Sequence, residues 1–465
     1  MNENLQELIH VALSAIAKLQ SDQTEADSVF ANGTPFPPTI PLQDGRVVLI
    51  TRDGYDALCK FGLLWRKTSK STESLITTTS AERWARECFG EALSDESITN
   101  CTTDSIALDV LINLLDKRVQ GLTESITHYF PCHIFDDQSR IDCFAIGPVS
   151  FHSRLDWIAH VEKQADKALP WSNRVIKNWY PEEGMEEETD FDPIADTVSE
   201  ATKICKWVAA ISIPKTEYSR SHERASTTVR LALDAFGLGL ERKGANCLRG
   251  PGDEIRSTDT YSLVQIPGQD IHWGFSTDLP VLGYKDSLKK YLASTEPFRN
   301  AAGQALTSFI NPNSNLALPT LNQRWCDALF WFGEARRDKT SFMALVRYGM
   351  ALDILAKGTR KKGIVNLLSA LFNLKPNDII IAADGSTLDK VIIKIYNEGR
   401  SQFGHGGRAG LLQDLPISVH VADQITTRAL LAYVMCLQNY RGEDSEEKFL
   451  EEIPNLIPST SDNKP

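Results

Sequence analysis

The sequence lacks any hydrophobic run long enough to cross a membrane. The longest, Ala429 to Leu437, has nine residues, against the ~18 a spanning helix needs. The nine cysteines contain no CxxC pair. An odd count without framework spacing argues against a disulfide scaffold and for free thiols in a reducing cytoplasm. The first residues carry Glu3 and Glu7 instead of a basic region followed by an apolar block, so no signal peptide is expected. Positive charge is also scarce. Forty-nine Lys and Arg face 61 Asp and Glu, a net charge of −12, which excludes general nucleic-acid affinity for the whole chain. No internal repeat is present. With 42% hydrophobic and 24% charged residues, disorder is excluded as the main state. At 465 residues, the chain is expected to hold about two to four domains.

Charge is unevenly spread. Residues 321–440 hold 15 Lys/Arg and 10 Asp/Glu, whereas residues 1–320 hold 31 and 44 and the last 25 residues hold 3 and 7. One basic segment in an acidic protein leaves room for a polyanion partner there, or for a chance fluctuation.

Periodicity predicts the architecture. In residues 3–20, Leu5, Leu8, Ile9, Ala12, Ile16 and Leu19 share one helical face. Arg46 to Thr51 reads as a short strand. Residues 80–93 and 104–122 read as helices, the second starting at Thr103-Asp104. His128 to Phe135 and Cys143 to Phe151 are rich in strand formers and predict a hairpin about the polar turn Asp136-Asp137-Gln138-Ser139. Leu155 to Leu169 is helical. Glu182 to Asp192 holds seven carboxylates in eleven residues and reads as a solvated loop. Thr197 to Ile213 reads as a helix leading into a strand, Ser221 to Leu240 as a helix with Ser221 as N-cap and Arg224 solvated, and Tyr261 to Ile266 as a strand. A linker follows at Asn311 to Asn315. Beyond it come helices at Leu321–Arg337, Thr340–Ala356, Lys361–Asn373, Leu388–Phe403 and Ala422–Tyr440. The expected fold class is α+β, mainly α. It comprises a mainly helical region 1–124, a mixed α/β middle domain 125–315, a helical bundle 316–442 and an acidic polar tail 443–465.

The densest polar feature lies where the fourth bundle helix ends, at Tyr396-Asn397-Glu398-Gly399-Arg400-Ser401-Gln402-Phe403-Gly404-His405-Gly406-Gly407-Arg408. Glycines around His405 break the helix and put Arg400 near its last turn. Arg can fork two hydrogen bonds onto a phosphate. His can give or take a proton near neutral pH. Together they suffice for RNA self-cleavage, in which the ribose 2′-OH is the nucleophile and the enzyme moves protons and stabilises charge. A His near a helix C-terminus can equally be a dipole partner.

Elsewhere the signals are weaker. His128, Cys132, His133 and Cys143 match no standard zinc spacing, and strand alternation sends Cys132 and His133 to opposite faces. Gly237 and Gly239 fall within or after a helix, so they form no dinucleotide fingerprint. No metal or cofactor site is expected.

The segment Ile395 to Gly407 resembles the Arg-x4–6-His motif of HEPN ribonucleases. The Arg400-Ser401 start and the His405-Gly406-Gly407 finish are most similar to the Apea-like HEPN group. Ala344 to Leu355, containing Ala351-Leu352-Asp353-Ile354-Leu355, is similar to that group's helix ending in Ala-Leu-Glu-x-Leu. The resemblance covers about residues 320–440. It implies a helical bundle that pairs symmetrically as a homodimer, so that two motifs form one metal-independent RNA cleavage site. Arg400 would hold the scissile phosphate, and His405 would be general acid or base. Ser401 would support the motif. Asp353, where the group often has Glu, would orient Arg400 or His405, unless it is an ordinary helix carboxylate. Arg347, Lys361 and Arg408 are candidate RNA-backbone contacts. Arg347 lies about 240° round the helix from Asp353 and can equally cap a surface, and Lys361 belongs to the basic run Arg360-Lys361-Lys362.

The leading expectation is thus a cytoplasmic endoribonuclease acting on RNA, with tRNA among the targets the family implies. Such domains belong to toxin or anti-phage defence systems, and residues 1–315 would sense a trigger. The alternative is a non-catalytic HEPN dimerisation or binding module. A metal-dependent hydrolase ranks last, since no clustered His/Asp set has ligand spacing.

Overall fold

The computed structural model describes residues 2–21, 38–95, 98, 104–135, 141–165, 167–180, 192–203, 205–245, 248–253, 259–265, 271–277, 285–311, 318–401, 415 and 417–456. It is mainly helical, with small antiparallel sheets. Met1–Thr127 with Ser212–Arg224 form one compact unit, and His128–Ile211 with Ala225–Pro465 form another. The segment expected as a separate middle domain therefore falls largely into one unit with the C-terminal helices. Among the described residues no helix is long and apolar enough to cross a membrane.

The first unit holds α1 (Asn2–Ser21), a hairpin of β1 (Thr39–Pro41) and β2 (Val47–Leu49), and helices α2 (Arg52–Arg66), α3 (Lys70–Leu75), α4 (Thr78–Ser94) and α5 (Asp104–Gln120). The stripe on α1 is buried as its spacing predicts: Leu5, Ile9, Ala12 and Ile16 meet Phe61, Trp65, Phe89 and Leu111 in one apolar core. Thr51 starts α2 by accepting the Gly54 amide, and Thr77 starts α4 by accepting that of Ser80. Glycine lets two backbones touch at Gly90, where a Cβ would lie 1.9 Å from the Pro41 carbonyl oxygen.

The sheet of the second unit runs β3 (Ser125–Cys132), β6 (Trp207–Pro214), β5 (Val149–Ser153) and β4 (Phe144–Ile146) in spatial order. This corrects the expected hairpin between His128–Phe135 and Cys143–Phe151. The second run folds back on itself, pairing Phe144 with Phe151 and Ile146 with Val149, while β3 lies beside β6. The cause is Gly147, at φ +57° in the turn, where a Cβ would lie 2.2 Å from the Gly303 carbonyl oxygen. The polar turn at residues 136–139 lies outside the described residues, as do the linker residues 312–315 and residues 182–191 of the acidic stretch. Asp192, the last of those carboxylates, caps the helix that follows by accepting the Ile194 and Ala195 amides.

Helices α6 (Arg154–Ala165), α7 (Ser172–Trp179) and α8 (Pro193–Ala201) enclose a small core of Trp157, Ile158, Val175, Ala195 and Val208. After β6 comes α9 (Tyr218–Leu238). Its N-terminus is not Ser221, which is fully buried inside the first turn; Glu217 instead accepts the Arg220 amide at 3.2 Å. Arg224 is half-buried and donates to the Ser74 carbonyl at 2.8 Å. Short helix α10 (Arg242–Ala245), hairpin β7 (Asp259–Gln265)–β8 (Ile271–Thr277), and helices α11 (Lys285–Ser294) and α12 (Glu296–Ile310) lead to the bundle.

The bundle comprises α13 (Pro319–Arg337), α14 (Ser341–Leu355), α15 (Arg360–Phe372), a small hairpin of β9 (Ile379–Ile381) and β10 (Ser386–Thr387), α16 (Leu388–Ile392), a π-helix (Ile393–Ser401) and α17 (Val419–Asn439). Each expected bundle helix is present. The fourth, however, changes to π geometry from Ile393. The expected acidic tail is in part a helix, α18 (Glu446–Leu456), which buries Phe449 and Ile453 completely. Its charge concealed a two-residue apolar stripe. Residues 457–465 lie outside the described residues.

Candidate active site

Among the candidates, Asp353 is the best defined. It sits on α14, 7% exposed. One carboxylate oxygen accepts the Arg360 amide at 2.9 Å, and the other accepts the Tyr396 hydroxyl at 3.5 Å. Its carbonyl accepts the Gly358 amide at 2.7 Å. The chain between α14 and α15 turns through left-handed conformations at Lys357, Gly358 and Arg360, with φ of +62°, +66° and +61°. Such φ values are uncommon for side chains longer than Asn. Asp353 thus ties down a strained turn and reaches the buried ring of Tyr396 on the π-helix. The carboxylate is part of the helix packing and is also linked to the element that carries Arg400.

Arg400 and Ser401 are the last two residues of the π-helix. A π turn closes its hydrogen bonds from i to i+5, and such segments are rare and frequent at functional sites. The helix is anchored at its other end. Lys394 donates to Asp384 at 3.5 Å and to the Ser386 hydroxyl at 3.4 Å, and Thr387 caps α16. Ile395 and Tyr396 are buried. His405 and Arg408 lie outside the described residues.

Two proposed RNA contacts have partners within the protein. Arg347 donates to the Glu334 carbonyl at 3.0 Å and pairs with Asp338 at 2.8 Å. Lys361 pairs with Asp389 at 2.9 Å, joining the starts of α15 and α16. Neither stands beside Asp353 in a shared hydrogen bond. His128 and Cys132 are buried while Cys143 is exposed. Burial holds the Cys132 thiol well above its usual range. Among the described residues no group of three or more His, Cys, Asp or Glu could hold a metal ion.

No family model, curated protein or solved structure matches the chain. The geometry therefore stands alone, and it includes a frame of buried charge absent from the sequence reading. Arg336, at the end of α13, makes a two-pronged pair with Asp423 on α17 at 2.7 and 3.1 Å. The Tyr348 hydroxyl donates to the same carboxylate at 2.7 Å. Burial, and then Asp423 beside it, push the Tyr348 phenol far above its ordinary value. Arg336 also donates to the Gly237 carbonyl and lies over the Phe332 ring. Next to it, Arg337 forks onto Asp234 at 2.5 and 3.1 Å. That approach needs Gly333, whose Cβ would stand 2.0 Å from the Asp234 carboxylate. A third pair, Arg324 with Glu446, receives the Tyr433 hydroxyl at 3.2 Å. Buried paired charges of this kind fix helix register. The adjacent Arg336-Arg337 at the end of an apolar helix was the one sequence signal for them.

Proposed function

We propose that residues 316–442 form a HEPN-type, metal-independent endoribonuclease that works as a homodimer, with Arg400 and His405 as its catalytic residues. Arg400 forks onto the scissile phosphate and stabilises its developing charge. The ribose 2′-OH attacks the adjacent phosphorus, the 5′-oxygen leaves, and His405 moves the proton. The products are a 2′,3′-cyclic phosphate and a 5′-OH end. Ser401 supports the motif, and Asp353 is a positioning residue. On this reading the enzyme cuts cellular RNA, tRNA among it, as a toxin or anti-phage effector, and residues 1–315 respond to a trigger.

The observation that carries the reading is the hydrogen bond from Tyr396 to the buried Asp353. An acidic residue on one bundle helix grips the π-helix four residues before Arg400.

The test is incubation of purified protein with total RNA and tRNA in excess EDTA, beside Arg400→Ala and His405→Ala variants. Wild type should cleave, and each variant should lose about 10²-fold or more. Equal cleavage by all three would overturn the residue assignment. If none cleaves and wild-type expression is harmless to cells, the bundle is either a binding module or a nuclease held silent until its trigger arrives.

A further inference from the structure

Away from the bundle, two histidines face each other. His152 lies on β5 and is 7% exposed. His160 is half-buried on α6, the helix that folds back over that strand. Their ring centres are 4.6 Å apart, and the ring planes are tilted by 32°. No third His, Cys, Asp or Glu among the described residues completes a metal site with them. What such a pair can do is titrate, in the range where histidine changes charge.

The surroundings favour neutral rings. On its own strand His152 shares a hydrogen bond with the Ser150 hydroxyl at 2.9 Å, and the residue opposite it on β6 is Val208. From α6 it meets His160 and the field of Asp156. The Asp156 carboxylate is engaged at the start of its own helix, where it accepts the Ser153 hydroxyl at 2.7 Å while Ser153 accepts the Asp156 amide at 3.2 Å. Burial first, and then His160, hold the His152 imidazole below its ordinary 6.5, with Asp156 opposing them. A proton on each ring would set two like charges face to face, one of them out of water. The element that would yield is α6. The Arg154 amide pins its first residue by donating to the Lys206 carbonyl at 3.0 Å. Further along, Trp157 and Ile158 enter the core with Val175, Ala195 and Val208, and Tyr129 donates to Gln164 at 2.9 Å. His160 stands between those two contacts, so repulsion there acts on the body of the helix.

We propose that His152 and His160 form an acid-sensitive latch: with both rings neutral α6 lies on β5, and when both are protonated the helix lifts about its pinned start and uncovers Trp157 and Ile158. The lifted helix takes protons more readily than the docked one, so the hold is complete above about pH 6.5 and weakens as pH falls below it. The assignment is independent of the ribonuclease reading.

Hydrogen exchange of the full chain tests it, read by mass spectrometry on peptides spanning residues 154–165. Labelling is done at pH 7.5 and pH 5, with times lengthened in acid to offset the slower exchange chemistry. In wild type the protection of α6 should fall about five- to tenfold between the two pH values, the effect of roughly one pKa unit, while α14 keeps its protection. His160→Gln keeps a polar side chain and takes no charge, so its α6 should hold at pH 5 as it does at pH 7.5. The ratio between the two pH values is the quantity read, which cancels any packing lost through the substitution. As a second readout, the His152 ring titrated by NMR should move up toward 6.5 in His160→Gln. The proposal fails if α6 of wild type is equally protected at both pH values, if His160→Gln shows the same ratio as wild type, or if the His152 titration is unmoved by the substitution.

Discussion

The N-terminal unit and the C-terminal bundle are both helical, yet they are held together by different means. The first has an apolar core in which helices and a hairpin meet through small residues, such as Gly90 against Pro41 and Gly62 against Ala81. In the bundle, buried ion pairs tie helices to one another and to their neighbours: Arg336 with Asp423 inside it, Arg337 with Asp234 on α9, and Arg324 with Glu446 on α18. Apolar packing tolerates small shifts in register. A buried two-pronged pair does not, because a displaced partner leaves a bare charge in a dry interior. A bundle that must hold Asp353 against Tyr396 gains rigidity from such constraints.

The contrast predicts a graded series. Asp423→Ala strands Arg336 and should cost the protein about 3–5 kcal/mol, read by denaturant unfolding. A loss under about 1 kcal/mol would mean that the pair does not brace the bundle. Gly90→Ala in the N-terminal unit should cost about 1–3 kcal/mol by overpacking, read by the same unfolding measurement. Asp353→Ala removes an amide acceptor at the start of α15 and should cost about 0.5–2 kcal/mol. If Asp353 also positions Arg400, RNA cleavage should fall more than the stability loss explains, measured well below the melting temperature.

The smallest effect is a pH dependence. Glu447 is exposed, and its hydrogen bond from Lys357 holds its carboxyl down at about 2, from an ordinary 4.5. Folded protein then binds fewer protons at this group than unfolded protein, so its contribution is present above about pH 4.5 and fades as pH falls toward 2. The melting-temperature gap between wild type and Glu447→Gln should therefore be wider at pH 7 than at pH 3.5. A constant gap would assign it to helix propensity.

Legibility in the sequence followed the same divide. Bundle helices were readable because Leu345, Tyr348, Leu352 and Leu355 repeat at helical spacing. The helix Arg52–Arg66 escaped notice because Gly54 and Gly62 look like breaks, whereas both are sites of close packing. The π geometry had no local mark, since it depends on how neighbouring helices grip Ile395 and Tyr396. The partnership of Arg336 with Asp423 spans 87 residues, and charged residues on a helix read as solvated until the fold shows them covered. For the site, Asp353 and Arg400 were legible as types and positions. The tie through Tyr396 became visible only in three dimensions.

One further bond bears on how the protein is made. The first turn of α13 is capped from far downstream, where Asp444 accepts the Thr320 and Leu321 amides at 2.8 and 3.0 Å. Phe449 then packs on Tyr433 and Tyr440. Chains emerge from the ribosome N-terminus first and fold in that order, so the N-terminal unit can form early, whereas the bundle waits for residues beyond 444. During synthesis, the element proposed to cut RNA is therefore the one that matures last.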